Sequence, residues 1–213
     1  MVWTSSNPLV GLLAGGVWAG AWLLLRGAPG PVRAAVCAAA PWLVTGFMHL
    51  DGYMDVCDAV LSRRDLATRQ RILKDSHCGA FAVICMVLLA MGQWSLFLAA
   101  EDVSWLGLLL IPAATRACAG LAVLGLRPMG TSQYAAMGPA RGGYGAALWV
   151  LLALSVGLPL WLDGSFGPLA AAVGYGLAVW YGFRNLDGMS GDISGFALTI
   201  GELCGCGAAI LWR

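Results

Sequence analysis

The stretch HLDGYMDVCDAV, His49 to Val60, places Asp51, Asp55 and Asp58 within eight positions of a chain in which only 11% of residues are charged. Spacings of four and three residues bring all three carboxylates onto one stripe of a helix, because each residue advances about 100° around the axis. Three like charges on one stripe repel one another, so a folded chain needs a counter-charge close by. A hard divalent cation suits them. Mg²⁺ takes oxygen ligands, usually one or two carboxylates, with water and substrate phosphates completing its shell. Asp51 and Asp55 are therefore expected as ligands, and Asp58 as a ligand or a general base. The alternative is a solvated acidic helix end. His49, just ahead of the block, is either a base or ligand, or only a hydrogen-bonding residue at a helix end.

A second group of reactive types follows at Lys74-Asp75-Ser76-His77-Cys78-Gly79. It suits a phosphate-bearing substrate. Lys74 is a point charge, Ser76 a hydroxyl donor, Asp75 a metal ligand or general base, and Gly79 a helix-ending residue that permits close backbone approach. A third patch, Asn185-Leu186-Asp187-Gly188-Met189-Ser190-Gly191-Asp192, offers Gly188 and Gly191 as backbone contacts to a substrate and Asp192 as a further metal ligand. Carboxylates converging from separate helices are how helical bundles build metal sites. Arg116 and Glu202 stand inside apolar runs, where ionisable residues are costly and either pair or line a polar cavity. A structural Arg116–Glu202 pair and a substrate contact by Arg116 are both open.

The elements that must carry these residues are membrane spans. Apolar residues make up 60% of the 213 positions, and mean hydropathy is +0.78. Runs near spanning length recur at Leu9–Leu25, Ala34–Leu50, Gly79–Ala100, Trp105–Leu126, Tyr144–Leu162, Phe166–Tyr181 and Gly195–Trp212. This pattern predicts an all-α, polytopic transmembrane helix bundle of about seven spans. The runs are continuous and do not alternate, which argues against a β-barrel. Thirty glycines fit close helix packing in lipid. No domain boundary, repeat or linker interrupts the chain, so residues 1–213 read as a single integral membrane domain. The first run has no basic region before it, and no cleavable signal peptide is expected.

Net charge is +1, so bulk electrostatics says nothing about nucleic acid, and no nucleic-acid partner is expected. The distribution of charge is more telling. Arg63, Arg64, Arg69, Arg71 and Lys74 share the second connection, Arg127 and Arg141 flank the fourth, and Arg184 falls in the sixth; Glu101, Asp102 and Asp163 mark connections without Lys or Arg. By the positive-inside rule the basic connections, and with them the acidic site, face the cytoplasm of a cell (inner) membrane protein. Arg26 and Arg33 fall on the opposite side and run against this trend. Ser62, with Asp65 three positions on, has the spacing of a helix N-cap, and Arg63–Ser76 reads as an interfacial amphipathic helix. Seven cysteines, an odd number without a Cys-x-x-Cys, read as small apolar residues.

Thr45-Gly46, His49-Leu50-Asp51-Gly52, Asp55 and Asp58, then Lys74-Asp75-Ser76 and Gly79-Ala80-Phe81, resemble the signature of the cobalamin synthase family, the adenosylcobinamide-GDP ribazoletransferases. Gly188-Met189-Ser190-Gly191-Asp192, with Gly195 and Glu202, is similar to that family's C-terminal motif, and Asn7-Pro8-Leu9-Val10-Gly11 to its entry into the first span. Departures are Phe47-Met48 for Gly-Leu, Ala59 for Gly and Asp187 for Gly; the family's usual segment ahead of the first proline motif is also expected to be missing. The resemblance implies a Mg²⁺-dependent membrane enzyme of the last stage of cobalamin synthesis. Such enzymes join α-ribazole or its 5′-phosphate to adenosylcobinamide-GDP and release GMP. Partners are then small molecules and the lipid bilayer, with a homo-oligomer left open. Two rival classes remain: a CDP-alcohol phosphotransferase-like enzyme, which shares the Asp-Gly-x-x-Asp-x-x-Asp beginning, and a transporter with an acidic ion site. Transporters place their carboxylates near the bilayer midplane, whereas most acids here belong to one membrane face.

Overall fold

The computed structural model describes residues 8–130 and 142–212. Asn7 and Arg141 lie outside the described residues. The chain forms helices α1 (Pro8–Leu24), α2 (Gly30–Val44), α3 (Met48–Leu61), α4 (Leu66–Ile72), α5 (Ala80–Ala99), α6 (Trp105–Gly125), α7 (Gly142–Asp163), α8 (Gly167–Leu186) and α9 (Gly191–Leu211). Every apolar run read from the sequence lies mainly in helix, although Ala34–Leu50 is split between two. Their lengths are uneven, however. Among the described residues four helices, α5, α6, α7 and α9, are long and apolar enough to cross a membrane, and a fifth crossing results if α2 and α3 together form one broken span.

Bilayer burial turns the usual surface logic inside out. Leu24, Trp149, Trp161, Leu177 and Trp180 are exposed, Trp161 at 82%. Large apolar side chains on this scale would be a liability in water and are at home against acyl chains. Inside the bundle, several polar groups find partners. The Trp18 indole donates to the Cys37 carbonyl at 2.7 Å, and the buried Gln93 amide donates to Ala38 at 3.0 Å. Two apolar clusters result. One gathers Trp18, Trp22 and Phe97 from α1 and α5. The other packs Leu50, Tyr53, Val56 and Val60 of α3 against Ile193, Phe196 and Ala197 of α9.

The break between α2 and α3 sets the position of the site. The expected span Ala34–Leu50 does not run straight through; the two helices meet at 92°. Gly46 (φ 58°) and Phe47 (φ 62°) are left-handed, a conformation Gly adopts without penalty and which ends a helix. The Thr45 hydroxyl closes α2 by donating to Pro41 at 2.9 Å. α3 therefore starts afresh at Met48, and its aspartates are not the tail of an apolar span.

The basic segment also departs from expectation. Ser62 is the last residue of α3's C-terminal turn, its hydroxyl donating to Ala59 at 2.7 Å, and Arg63 turns left-handed behind it (φ 53°). The N-cap of the next helix is Asp65, which accepts from the Thr68 amide at 3.0 Å and the Thr68 hydroxyl at 2.7 Å. α4 then runs only seven residues, not from Arg63 to Ser76. It docks on the end of α8: Arg69 donates to the Asn185 side chain at 3.0 Å and Gln70 to the Leu186 carbonyl at 2.8 Å. Arg127 pairs with Asp187, and the Met129 amide donates to Met189 at 2.8 Å. The described parts of the three basic connections thus meet at one end of the bundle. Ser104, from an acidic connection, hydrogen-bonds Asp163 of another. Arg33 lies over the Trp22 ring at 4.5 Å and donates to Ala100, away from the basic end, as its sequence position requires.

Candidate functional site

α3 divides its residues cleanly. Leu50, Tyr53, Cys57 and Val60 are buried at helical spacing, while Asp51, Asp55 and Asp58 occupy a different stripe, exposed or half-buried. Tyr53 fixes the helix about its axis. Its hydroxyl donates to the Cys85 carbonyl of α5 at 3.2 Å, and its ring stacks on Phe196 of α9 with centroids 5.7 Å apart.

The aspartate stripe forms one wall of a cavity of about 260 Å³, lined also by Ile72 and by Asp75, Ser76, His77, Cys78 and Gly79 of the connection to α5. Two approaches made possible by glycine shape this space. At Gly79 a Cβ would lie 2.1 Å from a carboxylate oxygen of Asp58. Any larger residue there would displace that carboxylate from the N-terminus of α5. Gly79 therefore begins α5, where the sequence suggested it ends the preceding helix. At Gly52 a Cβ would lie 2.8 Å from the backbone carbonyl of Asp192, so α3 crosses the start of α9 at backbone contact. That crossing puts Asp192 into the field of the α3 aspartates: Asp51, Asp192 and Asp58 all act on the charge of Asp55.

Opposite them, Asp75 accepts from the His77 amide at 3.1 Å and binds the His77 ring Nδ1 at 2.6 Å. The hydrogen bond from His77 holds the Asp75 carboxyl below the usual carboxylate range. The same bond, with the Asp75 charge, raises His77 above the ordinary imidazole value.

The sequence-predicted residues sort by place. Asp51, Asp55, Asp58, Asp75 and Ser76 line the cavity, and Lys74 is exposed beside it. Gly191 is exposed at the start of α9, next to Asp192. Gly188 has a packing reason: with φ at 143°, its backbone presses on Met129, where a Cβ would come within 2.6 Å. Arg116 is fully buried and ion-paired with Glu202. His49 is buried beside Arg116 and does not line the cavity. Reading the sequence missed Gly52 and Gly195 as the crossing of α3 and α9, and His77 as the partner of Asp75. The Asp-x-His spacing signals that last contact, since an Asp side chain readily accepts from the backbone two residues on.

The donor set is chemically right for a hard cation. Among the described residues the ion pairs are His77–Asp75, Arg116–Glu202 and Arg127–Asp187, so Asp51, Asp55, Asp58 and Asp192 carry no cationic partner. Nor do any three or more acidic, His or Cys groups among the described residues form a ready cage. Mg²⁺ does not need one, because one or two carboxylates with substrate phosphates and water suffice. The residues fit an ion that arrives with a phosphorylated substrate.

Fold and site together define a helical integral membrane protein with a carboxylate-lined cavity at the basic end of its bundle. The chain belongs to the cobalamin-5-phosphate synthase family, whose model matches residues 4–210. It is similar to the adenosylcobinamide-GDP ribazoletransferase of Clostridium perfringens (strain 13 / Type A), at 33% identity over 209 residues, 93% of this chain and 82% of that protein. The enzyme of the same name from Thiobacillus denitrificans is 36% identical over 203 residues, 89% of this chain and 78% of the relative. That from Halalkalibacterium halodurans is 44% identical over 117 residues, 51% and 44% of the two chains. No solved structure matches. The protein is thus an enzyme of cobalamin synthesis, a membrane transferase of its final assembly.

Proposed function

We propose that this chain transfers the adenosylcobinamide phosphoryl group of adenosylcobinamide-GDP to α-ribazole or its 5′-phosphate, releasing GMP, with Mg²⁺ held by Asp51 and Asp55 and assisted by Asp192. The observation that carries this reading is the cavity itself, with three carboxylates that lack cationic partners among the described residues on one wall and Asp75 and Ser76 also lining it, the exposed Lys74 being next to Asp75 in the chain. The names of the relatives supply the substrates. Bound Mg²⁺ neutralises charge on the pyrophosphate and the departing nucleotide.

The chain's own groups do the rest. Lys74 meets the phosphates as a point charge, and Ser76 donates a hydrogen bond from the cavity wall. Asp75 accepts the proton of the attacking ribazole hydroxyl, with the His77 ring hydrogen-bonded to it at 2.6 Å. Asp58, lodged against the N-terminus of α5, is better placed to fix the helix and complete the ion's shell than to move. The basic connections share the cavity's end of the bundle, which supports a cytoplasm-facing site in the cell membrane.

The test is direct. Detergent-purified protein is incubated with adenosylcobinamide-GDP, α-ribazole and Mg²⁺, and cobalamin and GMP are quantified. Equimolar products that vanish with a chelator and return with Mg²⁺ are expected. Absence of product under conditions where a known ribazoletransferase turns over refutes the reading.

A further inference from the structure

Four residues of α9 form one stripe at spacings of three, four and three: Asp192, Gly195, Thr199 and Glu202. Each meets the beginning of α3 or a residue that holds it. Asp192 lies against Gly52, and Gly195 against the His49 backbone, where a Cβ would come within 3.2 Å of the carbonyl. The Thr199 hydroxyl donates to that same His49 carbonyl at 3.3 Å. Glu202 pairs with Arg116 of α6, and Arg116 Nη2 reaches His49 Nδ1 at 3.4 Å. The stripe runs from the neighbourhood of the α3 aspartates to a buried ion pair.

α3 needs such an anchor. Its N-cap is Phe47, left-handed and without a side-chain cap, so locally the turn that carries Asp51 is held by backbone hydrogen bonds alone. Arg116 is 0% exposed, Glu202 5% and His49 7%. A buried ion pair is a weak source of stability, often replaceable by apolar residues, and its attested use is to select one arrangement over another. The geometry also speaks to what His49 does. Arginine only donates, so His49 Nδ1 must accept and the ring proton sits on Nε2. Among the described residues Nε2 has no hydrogen-bond partner, and His49 does not line the cavity.

We propose that His49, Arg116 and Glu202 are positioning residues that lock the start of α3 against α9, so that Asp51 and Asp55 face Asp192. The inference rests on the reading of these aspartates as the reacting site. The chemistry it assigns to His49 is acceptance of one hydrogen bond at Nδ1, and side-chain mimicry tests this. In His49→Asn the amide oxygen falls near the place of Nδ1 and still accepts from Arg116. In His49→Gln the polar group is carried further out, and His49→Leu has none.

The protein and these three variants, with Asp51→Asn as a control, are compared by steady-state kinetics in detergent and by amide hydrogen exchange over residues 48–52. H49N is expected to keep near wild-type turnover and exchange. H49L and H49Q should lose about 10- to 100-fold in kcat, the scale of a misplacement near 1 Å, with faster exchange in the first turn of α3. Equal loss in H49N and H49L would overturn the proposal in favour of a chemical role for the imidazole. Wild-type kinetics in H49L with D51N inactive would overturn the proposal alone, whereas normal turnover by D51N would bring down the aspartate reading and this inference with it. If H49L does not accumulate, Arg116→Lys is read the same way. Lys keeps a charge for Glu202 but lacks the fork that reaches His49 as well, so kcat should fall; unchanged kcat would count against the proposal.

Discussion

Replacing Gly52 by alanine adds one methyl group where α3 crosses α9. That Cβ would sit 2.8 Å from the Asp192 carbonyl oxygen, 3.0 Å from its Cα and 3.3 Å from its carbonyl carbon. All three are backbone atoms, so no side chain can swing aside. Ordinary carbon contacts are about 3.5–4.0 Å, and the helices must therefore part by roughly 0.5–1 Å locally. Over-packing of this kind costs about 1–3 kcal/mol in stability. The functional cost should be larger in proportion, because the same displacement moves Asp192 away from Asp51 and Asp55. A shift near 1 Å in a positioned group can cost about 100-fold in rate. Turnover and thermal unfolding would be measured for Gly52→Ala beside Gly176→Ala, a helical glycine of α8 with nothing within 4 Å of its added Cβ. The control should unfold no earlier than wild type, since alanine is favoured over glycine in a helix by about 0.5–1 kcal/mol. A G52A enzyme with full kcat would refute the idea that the site is built across the α3–α9 crossing.

Asp51→Asn and Asp55→Asn keep shape but remove charge, so each should abolish turnover while leaving membrane insertion and folding intact; near-wild-type rates in both would exclude a metal role. Lys74→Ala should lower kcat as well as raise KM, because a charge that meets the departing phosphate acts mainly in the transition state; loss of lipid association alone would point to a headgroup role. The Asp75–His77 contact has a defined pH window. His77 is raised, so the contact is complete below the ordinary histidine value of 6.5 and fades as pH climbs through the raised one. Asp75 is lowered, so the contact is present above 3.8 and fades only as pH drops through the lowered value. NMR of the His77 ring should show a midpoint above 6.5 that falls back in Asp75→Asn, and an unmoved midpoint would mean that the pair does not form in solution. Single cysteines at Ser62 and Gly191, in a cysteine-free background, should both resist an impermeant thiol reagent in intact cells and react in inverted vesicles. Opposite behaviour would separate the two aspartate patches and break the shared site.

How far the site was legible depended on range. The α3 stripe was readable because helical period alone relates Asp51, Asp55 and Asp58, and the Leu50, Tyr53, Cys57, Val60 spacing agrees with it. The seven apolar runs were readable from continuous hydropathy near spanning length. What hydropathy does not encode is direction. The chain stays apolar from Ala34 to Leu50, and a window average passes over Gly46, yet one left-handed turn there rotates the next helix by 92°. Ser62 and Asp65 both satisfy capping chemistry, and only the left-handed Arg63 between them decides that Ser62 closes one helix and Asp65 opens the next.

Tertiary facts lay further off still. Arg116 and Glu202 were visible as two costly charges in apolar runs, but the sequence left a pair and a substrate contact equally open. The structure brings them together 86 positions apart, with His49 as a third member. The glycines show the same limit. As composition, thirty of them signal only close packing. As places, Gly52 admits the Asp192 backbone and Gly79 admits the Asp58 carboxylate. Chemistry-bearing residues could thus be named from type and spacing, while the residues that aim them are small, apolar or buried, and declare themselves only by what a single added methyl group would strike.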